Sequence, residues 1–202
     1  PEATVRAILE GAARSPSGGN LQHWRVWVLA GPDLRDFLAL IARQMKENPA
    51  GQETEYKIYP PDLTDPYRAR RYKCGEDLYA TIQIGRDNKP GRLMQMAKNY
   101  QLFGAPVGLF FAIDRQMQPG QWADLGMYMQ SIMLLAREHG LHTCAQEAWA
   151  RWHATIGDYL AIPDELMFFA GMALGHMDTA HPINTLRTDR APFDEIATIR
   201  GY

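Results

Sequence analysis

The sequence has 202 residues, enough for one sizeable hydrophobic core and short for two domains. Lys and Arg total 21 against 23 Asp and Glu, and this net charge of −2 argues against a nucleic-acid or membrane-surface partner. The hydrophobic share is 46%, yet no apolar run approaches the roughly 18 residues that span a bilayer, so we expect a soluble globular protein.

The two cysteines, Cys74 and Cys144, lie too far apart in sequence to indicate a disulfide framework or a zinc spacing. A reducing cytoplasm is therefore the default expectation for its location. No signal peptide is visible. Because the chain starts at Pro1 rather than Met, we expect that an N-terminal segment of the natural protein is missing.

The first elements follow from hydrophobic spacing. Thr4 to Arg14 has the apolar spacing of a helix, and Arg25 to Ala30 has the composition of a strand. Asp33 is placed to cap a second helix that ends near Asn48-Pro49. Ala50 to Pro66 then contains several prolines and predicts a long irregular segment of the kind that forms lids.

Tyr67 to Gln83 predicts a helix with a flaw at Gly75. Its basic side chains would attract an anion or form a solvated face, and the solvated face is the more common arrangement. These side chains are Arg68, Arg70, Arg71 and Lys73.

The second half alternates helices and strands imperfectly, which predicts an α+β or mixed three-layer fold. The longest helix is apolar around much of its circumference, which indicates burial in a core or between subunits. In chain order we predict a helix within Arg86 to Phe103, a buried strand at Val107 to Ile113, the long helix at Trp122 to Gly140, a strand at Leu141 to Ala148, a helix at Trp149 to Leu160 and a strand at Leu166 to Leu174.

The stretch from Ala13 to Trp24 has the composition of a ligand-presenting loop. Pro16 ends the preceding helix, and a pair of glycines allows positive φ and close approach of a bulky group. Hydroxyl and carboxamide groups, which can read the edge of a heterocycle, follow at Ser17, Asn20 and Gln22. The same composition is also that of an ordinary turn between a helix and a strand.

Several segments, in the same order along the chain, resemble the nitroreductase family, in its nitrobenzoate-reductase-like branch. They are S-P-S-G-G-N-L-Q-H-W at 15–24, F-G-A-P-V-G-L-F-F at 103–111, the helix at 122–140, G-L-H-T-C-A-Q-E-A-W at 140–149, M-A-L-G at 172–175 and R-T-D-R-A-P-F-D-E at 187–195. His23 stands where the family usually has proline. Ala145 replaces the proline of the family's T-C-P-Q motif, which reads T-C-A-Q here. The family's opening Arg-Arg-Ser helix motif does not precede Ala13.

The resemblance implies one nitroreductase-like domain over residues 1–202, with a mixed or antiparallel central sheet flanked by helices. It implies an intertwined homodimer with FMN bound at the subunit interface.

The resemblance also implies roles for individual residues. The loop residues that would contact FMN are Ser15, Pro16, Ser17, Asn20 and Gln22. The backbone around Ala145 and Gln146 corresponds to the family's N–H near flavin N5, and Arg190, with Arg187, corresponds to its phosphate contact. Tyr79 and Trp122 are candidates for the substrate wall.

The activity implied is an FMN-dependent NAD(P)H oxidoreductase that reduces nitroaromatics, quinones or similar electron-poor acceptors in a ping-pong cycle, with NADH or NADPH as the donor. Because the flavin would carry the chemistry, no catalytic side chain is expected. Dehalogenation, flavin fragmentation and non-enzymatic flavin binding remain alternatives, because one fold hosts several functions. No metal is expected, since Glu138, His139 and His142 lack a further ligand at a fitting spacing.

Overall fold

A computed structural model describes residues 1–201 of the chain. These residues divide into two compact units. The first unit comprises residues 1–59 and 95–177, and the second comprises residues 60–94 and 178–201. Each unit is described by itself.

The first unit contains the sheet and most of the helices. Its helices are α1 (Glu2–Ala12), α2 (Gly31–Glu47), α5 (Pro119–Glu138) and α6 (His153–Leu160), and its strands are β1 (Trp24–Ala30), β2 (Val107–Asp114), β3 (His142–Gln146) and β4 (Leu166–Gly175). Short 3-10 turns cover Gly18–Asn20, Lys98–Gly104 and Glu147–Trp152. The division between the units falls inside α4 (Lys89–Ala97).

The four strands form one sheet in the order β1-β2-β4-β3, and every neighbouring pair is antiparallel. β2 and β4 occupy the centre, which explains why their sequences are almost continuously apolar. β3 pairs with β4 alone and forms one edge of the sheet.

Both faces of the sheet carry a hydrophobic core, so the unit has three layers. On one face, α1 and α5 cover alternate residues of β2, namely Leu109, Phe111 and Ile113. On the other face, α2, α6 and the turn at Glu147–Trp152 cover Phe110. The predicted α+β three-layer fold is confirmed, and of the two predicted forms of the sheet, mixed or antiparallel, the structure has the antiparallel one.

The second core is centred on Trp149, which is fully buried. Its ring meets Tyr100 and Phe110 edge-on, with ring centroids 5.4 Å away in each case. A Cβ on Gly171 would lie 2.4 Å from Cδ1 of this indole, so β4 has glycine where the ring lies against it.

A β-bulge interrupts the pairing of β2 with β4. Phe111 pairs with Ala170 and Ala112 pairs with Phe168, so Phe169 of β4 has no pairing partner on β2. The Tyr56 hydroxyl donates a hydrogen bond of 2.7 Å to the carbonyl oxygen of Phe169. A side chain thus satisfies a carbonyl at the irregularity.

The second unit contains α3 (Tyr67–Thr81), the first part of α4, a 3-10 turn at Pro182–Thr185 and α7 (Phe193–Ile196). None of its described residues is buried. Ion pairs join α3 to the C-terminal segment, with Arg70 pairing with Glu195 and Lys73 lying 2.9 Å from Asp189.

Three local predictions were wrong. Asp33 does not cap α2, because the helix already begins at Gly31 and no side chain caps it. α3 continues through Gly75 without a break, since one helical glycine costs only about 1 kcal/mol relative to alanine. The segment from Trp149 to Leu160 is not one helix, because a 3-10 turn precedes α6.

The basic face of α3 is exposed, as expected. Among residues 1–201, no helix combines the length and the apolar character that a membrane crossing requires.

Candidate active site

The loop between α1 and β1 has a defined backbone. Ser17 is extended, and Gly18–Asn20 form a 3-10 turn. Positive φ occurs at Gly19, Asn20 and Gln22, with values of 60°, 56° and 48°. Left-handed backbone at a non-glycine residue is uncommon and costs energy, so surrounding contacts must hold the loop in this form.

The central contact comes from a buried carboxylate on α5. Asp124 is 7% exposed, and its Oδ2 accepts a hydrogen bond of 3.0 Å from the backbone N–H of Gly18. It lies on the same helix face as the buried residues Tyr128, Ile132 and Ala136. This contact fixes the start of the 3-10 turn against the helix.

Two further hydrogen bonds hold the ends of the loop on α5. The Ser15 hydroxyl donates to Oγ of Ser131 at 2.7 Å, and Nε2 of His23 lies 2.7 Å from the carbonyl oxygen of Gln121. His23 therefore fastens the end of the loop to the first turn of α5.

The middle of the loop keeps its polar groups available. Oγ of Ser17 accepts from the Gln22 backbone N–H at 3.1 Å, which leaves the hydroxyl hydrogen free to donate. The Gln22 carboxamide donates to the Asn20 carbonyl at 3.3 Å, and both side chains are exposed. The loop therefore offers a hydroxyl and two carboxamides from a fixed backbone.

Ala145 and Gln146 lie on β3 at the edge of the sheet. Gln146 is 3% exposed, and its carboxamide donates to the backbone and side-chain oxygens of Asn99 at 3.0 Å each. Its Oε1 accepts from Nε1 of Trp149 at 3.3 Å. The side chain is consumed by structural contacts, so a ligand here would meet the backbone of these two residues.

An aromatic group stands at the start of α5. Trp122 meets Phe169 edge-on at 5.2 Å and Tyr56 at 6.0 Å between ring centroids. Burial, followed by the nearby charge of Glu147, raises the pKa of the Tyr56 phenol. Burial also raises the pKa of the Glu147 carboxyl. The Trp122 ring is therefore one member of a packed aromatic group.

The first part of the irregular segment is tied down at several points. The Gln52 backbone N–H donates to the Arg151 carbonyl at 2.7 Å, and its Nε2 donates to Oγ1 of Thr155 at 2.9 Å. Glu55 lies 2.7 Å from Arg115 and 3.2 Å from Nδ1 of His153. These contacts favour a fixed wall over a freely moving lid for Gly51 to Tyr56.

Arg187 and Arg190 belong to the second unit, where both are exposed. Nη1 of Arg187 donates to the carbonyls of Asn184 and Leu186, at 3.1 Å and 2.9 Å. Nη1 of Arg190 donates to Thr188 Oγ1 at 2.6 Å. Each guanidinium keeps Nε and Nη2 without a hydrogen-bond acceptor among the described residues.

Tyr79 also belongs to the second unit and is half-buried. The Arg92 guanidinium carbon lies 4.3 Å from the centroid of its ring. One face of the ring is thereby covered, and this limits the surface that Tyr79 presents to a ligand.

Sequence reasoning missed three residues of the first unit that shape this region. Asp124 holds the loop, Tyr56 completes the aromatic group, and Glu147 carries a carboxyl with a raised pKa beside it. Asp124 had a readable signal, because it lies four residues before Tyr128 on the apolar stripe of α5. A charged residue on such a stripe is rarely buried without a partner.

Comparisons with known proteins agree with this architecture. The model of the nitroreductase family matches residues 1–176. A 4-nitrobenzoate reductase of Pseudomonas putida is 36% identical over 198 residues, covering 98% of this chain and 86% of the relative. A second one, from Nocardioides sp. (strain LMS-CY), is 36% identical over 200 residues and covers 98% of this chain and 81% of the relative.

Solved structures show the same fold. The FMN- and NADPH-dependent nitroreductase NfnB of Sphigopyxis sp. strain HMH superposes with a TM-score of 0.95 at 44% identity, covering all of this chain and 91% of that one. The FMN-dependent NfnB of Mycobacterium smegmatis, in complex with NADPH, gives 0.91 at 25% identity and covers all of this chain and 89% of that one. This chain belongs to the nitroreductase family.

Proposed function

We propose that the chain is an FMN-dependent NAD(P)H oxidoreductase that reduces nitroaromatics, quinones or similar electron-poor acceptors. The observation that carries the proposal is the loop at Ser17 to Gln22, whose backbone is fixed by α5 and whose polar groups remain available. Family membership and the names of the relatives support the same reaction class.

The groups on this loop fit FMN by their chemistry. A hydroxyl and carboxamides can both donate and accept, as ribityl hydroxyls and the polar edge of a flavin ring require. We assign these contacts to Ser17, Asn20 and Gln22. Ser15 and Pro16 set the approach of the chain, because the Ser15 hydroxyl is used in the contact with α5.

We assign two further contacts by the same reasoning. The backbone at Ala145 and Gln146 lies on an edge strand, where groups that pair with no strand can meet the ring near N5. Arg190, with Arg187, keeps guanidinium nitrogens available for the phosphate, to which arginine makes a forked, charge-assisted contact. No metal is part of the proposal.

FMN, when bound, would supply the chemistry of hydride transfer between a nicotinamide and an electron-poor acceptor. The residues of the chain bind and orient the ring and keep water away from it. Trp122 in the first unit and Tyr79 in the second are the proposed substrate contacts. NADPH is the first donor to test, because the names of two similar structures specify it.

The proposed assembly is a homodimer in which residues 1–202 form one functional domain, located in the cytoplasm. Support for the dimer comes from apolar side chains that are exposed in the single chain. Met127 and Leu134 are 40% and 62% exposed, and their spacing of seven residues puts both on one face of α5. Neighbouring exposed apolar side chains are typical of surfaces that a second subunit covers.

The first test is a visible absorption spectrum of the purified protein before and after addition of NADPH or NADH. We expect a yellow protein that bleaches with the nicotinamide and recovers with a nitroaromatic or a quinone. A colourless protein that takes up no added FMN would refute the proposal. Products formed by reduced FMN in air would separate acceptor reduction from flavin fragmentation.

The second test changes Gln22→Ala and compares it with Gln101→Ala, an exposed glutamine in the 3-10 turn at Lys98–Gly104. Loss of the ring contact should lower turnover at least tenfold, because orientation of the ring depends on it. Turnover of the Gln101 variant should match the parent. A loss below tenfold in the Gln22 variant would remove this contact from the proposal.

A further inference from the structure

The second unit contains a cavity where α3 ends and α4 begins. Its volume is about 340 Å³, within the range of about 300–1,000 Å³ that is usual for small-molecule sites. The lining residues are Glu76, Ala80, Gln83, Ile84, Gly85, Arg86 and Arg92. Nothing in the flavin chemistry proposed above uses this cavity.

One of its two arginines is fully engaged. Arg92 donates to both carboxylate oxygens of Glu76, at 2.7 Å and 2.9 Å, and its Nε donates to the carbonyl of Gly85 at 3.2 Å. The hydrogen bond from Arg92 holds the pKa of the Glu76 carboxyl below its ordinary value. Arg92 and Glu76 therefore form an ion pair with no net charge, and both residues line the cavity.

The second arginine, Arg86, lies near the Glu76 carboxylate, and its positive charge adds to that of Arg92 in lowering the pKa of that carboxyl. The Arg86 guanidinium carbon lies 5.2 Å from the centroid of the Tyr72 ring, and no carboxylate within residues 1–201 forms an ion pair with it. An aromatic ring under a guanidinium orients the plane without using its N–H groups. Arg86 and Arg92 bring two positive charges to the lining and Glu76 brings one negative charge, so the cavity carries one net positive charge. The N–H groups of Arg86 can make a forked contact.

We propose that this cavity binds an aromatic carboxylate, with Arg86 as its anchor. A carboxylate brings one negative charge and two oxygens, which match one available guanidinium. Ala80 and Ile84 offer apolar surface to the ring of such a ligand. A phosphate fits less well, because its second charge would face the Glu76 carboxylate without a further cation.

The test measures binding of benzoate by calorimetry to the full-length, oxidised, FMN-supplemented protein. Benzamide serves as the neutral analogue and inorganic phosphate as the competing anion. We expect benzoate to bind, benzamide not to bind, and phosphate to bind at least tenfold more weakly than benzoate. Binding is read without turnover, so a failure of the proposed reaction would leave this result readable.

The variants are Arg86→Gln, Arg86→Lys and the control Lys89→Gln, which removes a nearby exposed charge that does not line the cavity. Arg86→Gln should weaken benzoate at least tenfold, and Arg86→Lys should keep part of the affinity. Lys89→Gln should stay within twofold of the parent. The proposal is overturned if the parent does not bind benzoate or if Arg86→Gln binds it with unchanged affinity. It is also overturned if Arg86→Gln and Lys89→Gln lower the affinity for benzoate equally.

Discussion

The two compact units are stabilised by different interactions. Every buried apolar residue among the described positions belongs to the first unit, in cores on both faces of its sheet. In the second unit no described residue is buried, and ion pairs run along α3 and to the C-terminal segment. Burial of apolar side chains therefore stabilises the first unit, whereas the second unit has ion pairs in place of a buried core.

Known magnitudes show what the difference means. Burying one large apolar side chain contributes about 1.5–3 kcal/mol, whereas an exposed ion pair contributes about 0–1 kcal/mol. A set of exposed pairs cannot replace a core of this size. Because exposed ion pairs are screened by salt and depend on charge, the stability of the second unit should depend more on ionic strength and pH than that of the first.

The largest expected difference between the units is found when one aromatic residue of each is replaced by alanine. Trp149→Ala should lower the free energy of unfolding by about 3–5 kcal/mol, because the indole is fully buried and leaves a cavity. Tyr67→Ala, at a position that is 61% exposed in the second unit, should change it by less than about 0.5 kcal/mol. Denaturant unfolding at one fixed FMN concentration measures both. Equal losses would contradict the comparison.

A smaller effect is expected for carboxylates that accept a hydrogen bond. Asp124→Ala should cost about 1–3 kcal/mol of stability, because it removes a buried acceptor from the Gly18 N–H. Asp189→Ala should cost about 0–1 kcal/mol, because Asp189 is 70% exposed beside Lys73. Asp124→Asn keeps an acceptor and should recover part of the loss. If Asp124→Ala unfolds at the same denaturant concentration as the parent, the loop does not depend on this contact.

The smallest effect should be the pH dependence of two glutamates. Burial raises the pKa of Glu147, so the unfolded chain loses that proton first, and stability falls as pH rises from the unfolded value to the folded one. Arg92 lowers the pKa of Glu76, so the stability from that pair is present above the unfolded value and is lost as pH falls through the folded one.

Unfolding midpoints between about pH 3 and about pH 8 would test these signs. Glu147→Gln should be more stable than the parent at neutral pH, and the two should converge in acid. Glu76→Gln should be less stable at neutral pH and should also converge in acid. A shift of the same sign for both variants at neutral pH would show that the two carboxyls have similar environments.

Several features could be read from the sequence because they depend on neighbours along the chain. The apolar run at Val107 to Ile113 indicated a buried strand, and it became a central strand, β2. The resemblance of residues 15–24 to a family motif indicated the fold and the reaction class. Such patterns predict structure from the sequence because periodicity and turn chemistry depend on residues that are close together in the chain.

Other features appeared only once distant segments met. The sequence placed Asp124 in a long apolar helix, but only the folded chain brings Gly18 to it across 106 residues. In the sequence, Tyr56 is one residue of an irregular segment. Only the folded chain shows that its hydroxyl donates to the carbonyl of Phe169 at the bulge. The flaw expected at Gly75 did not occur, because the local preference of a glycine is weak against the rest of a helix.

The sequence by itself determined the types of most elements, the chemistry of the loop and the family. The tertiary structure decided which carboxylate holds that loop, which aromatic rings surround Trp122, and which arginine of the cavity lies over the Tyr72 ring. The physical reason is that the chemistry of a side chain belongs to its own residue, whereas burial and hydrogen-bond partners depend on segments that are far apart in the chain.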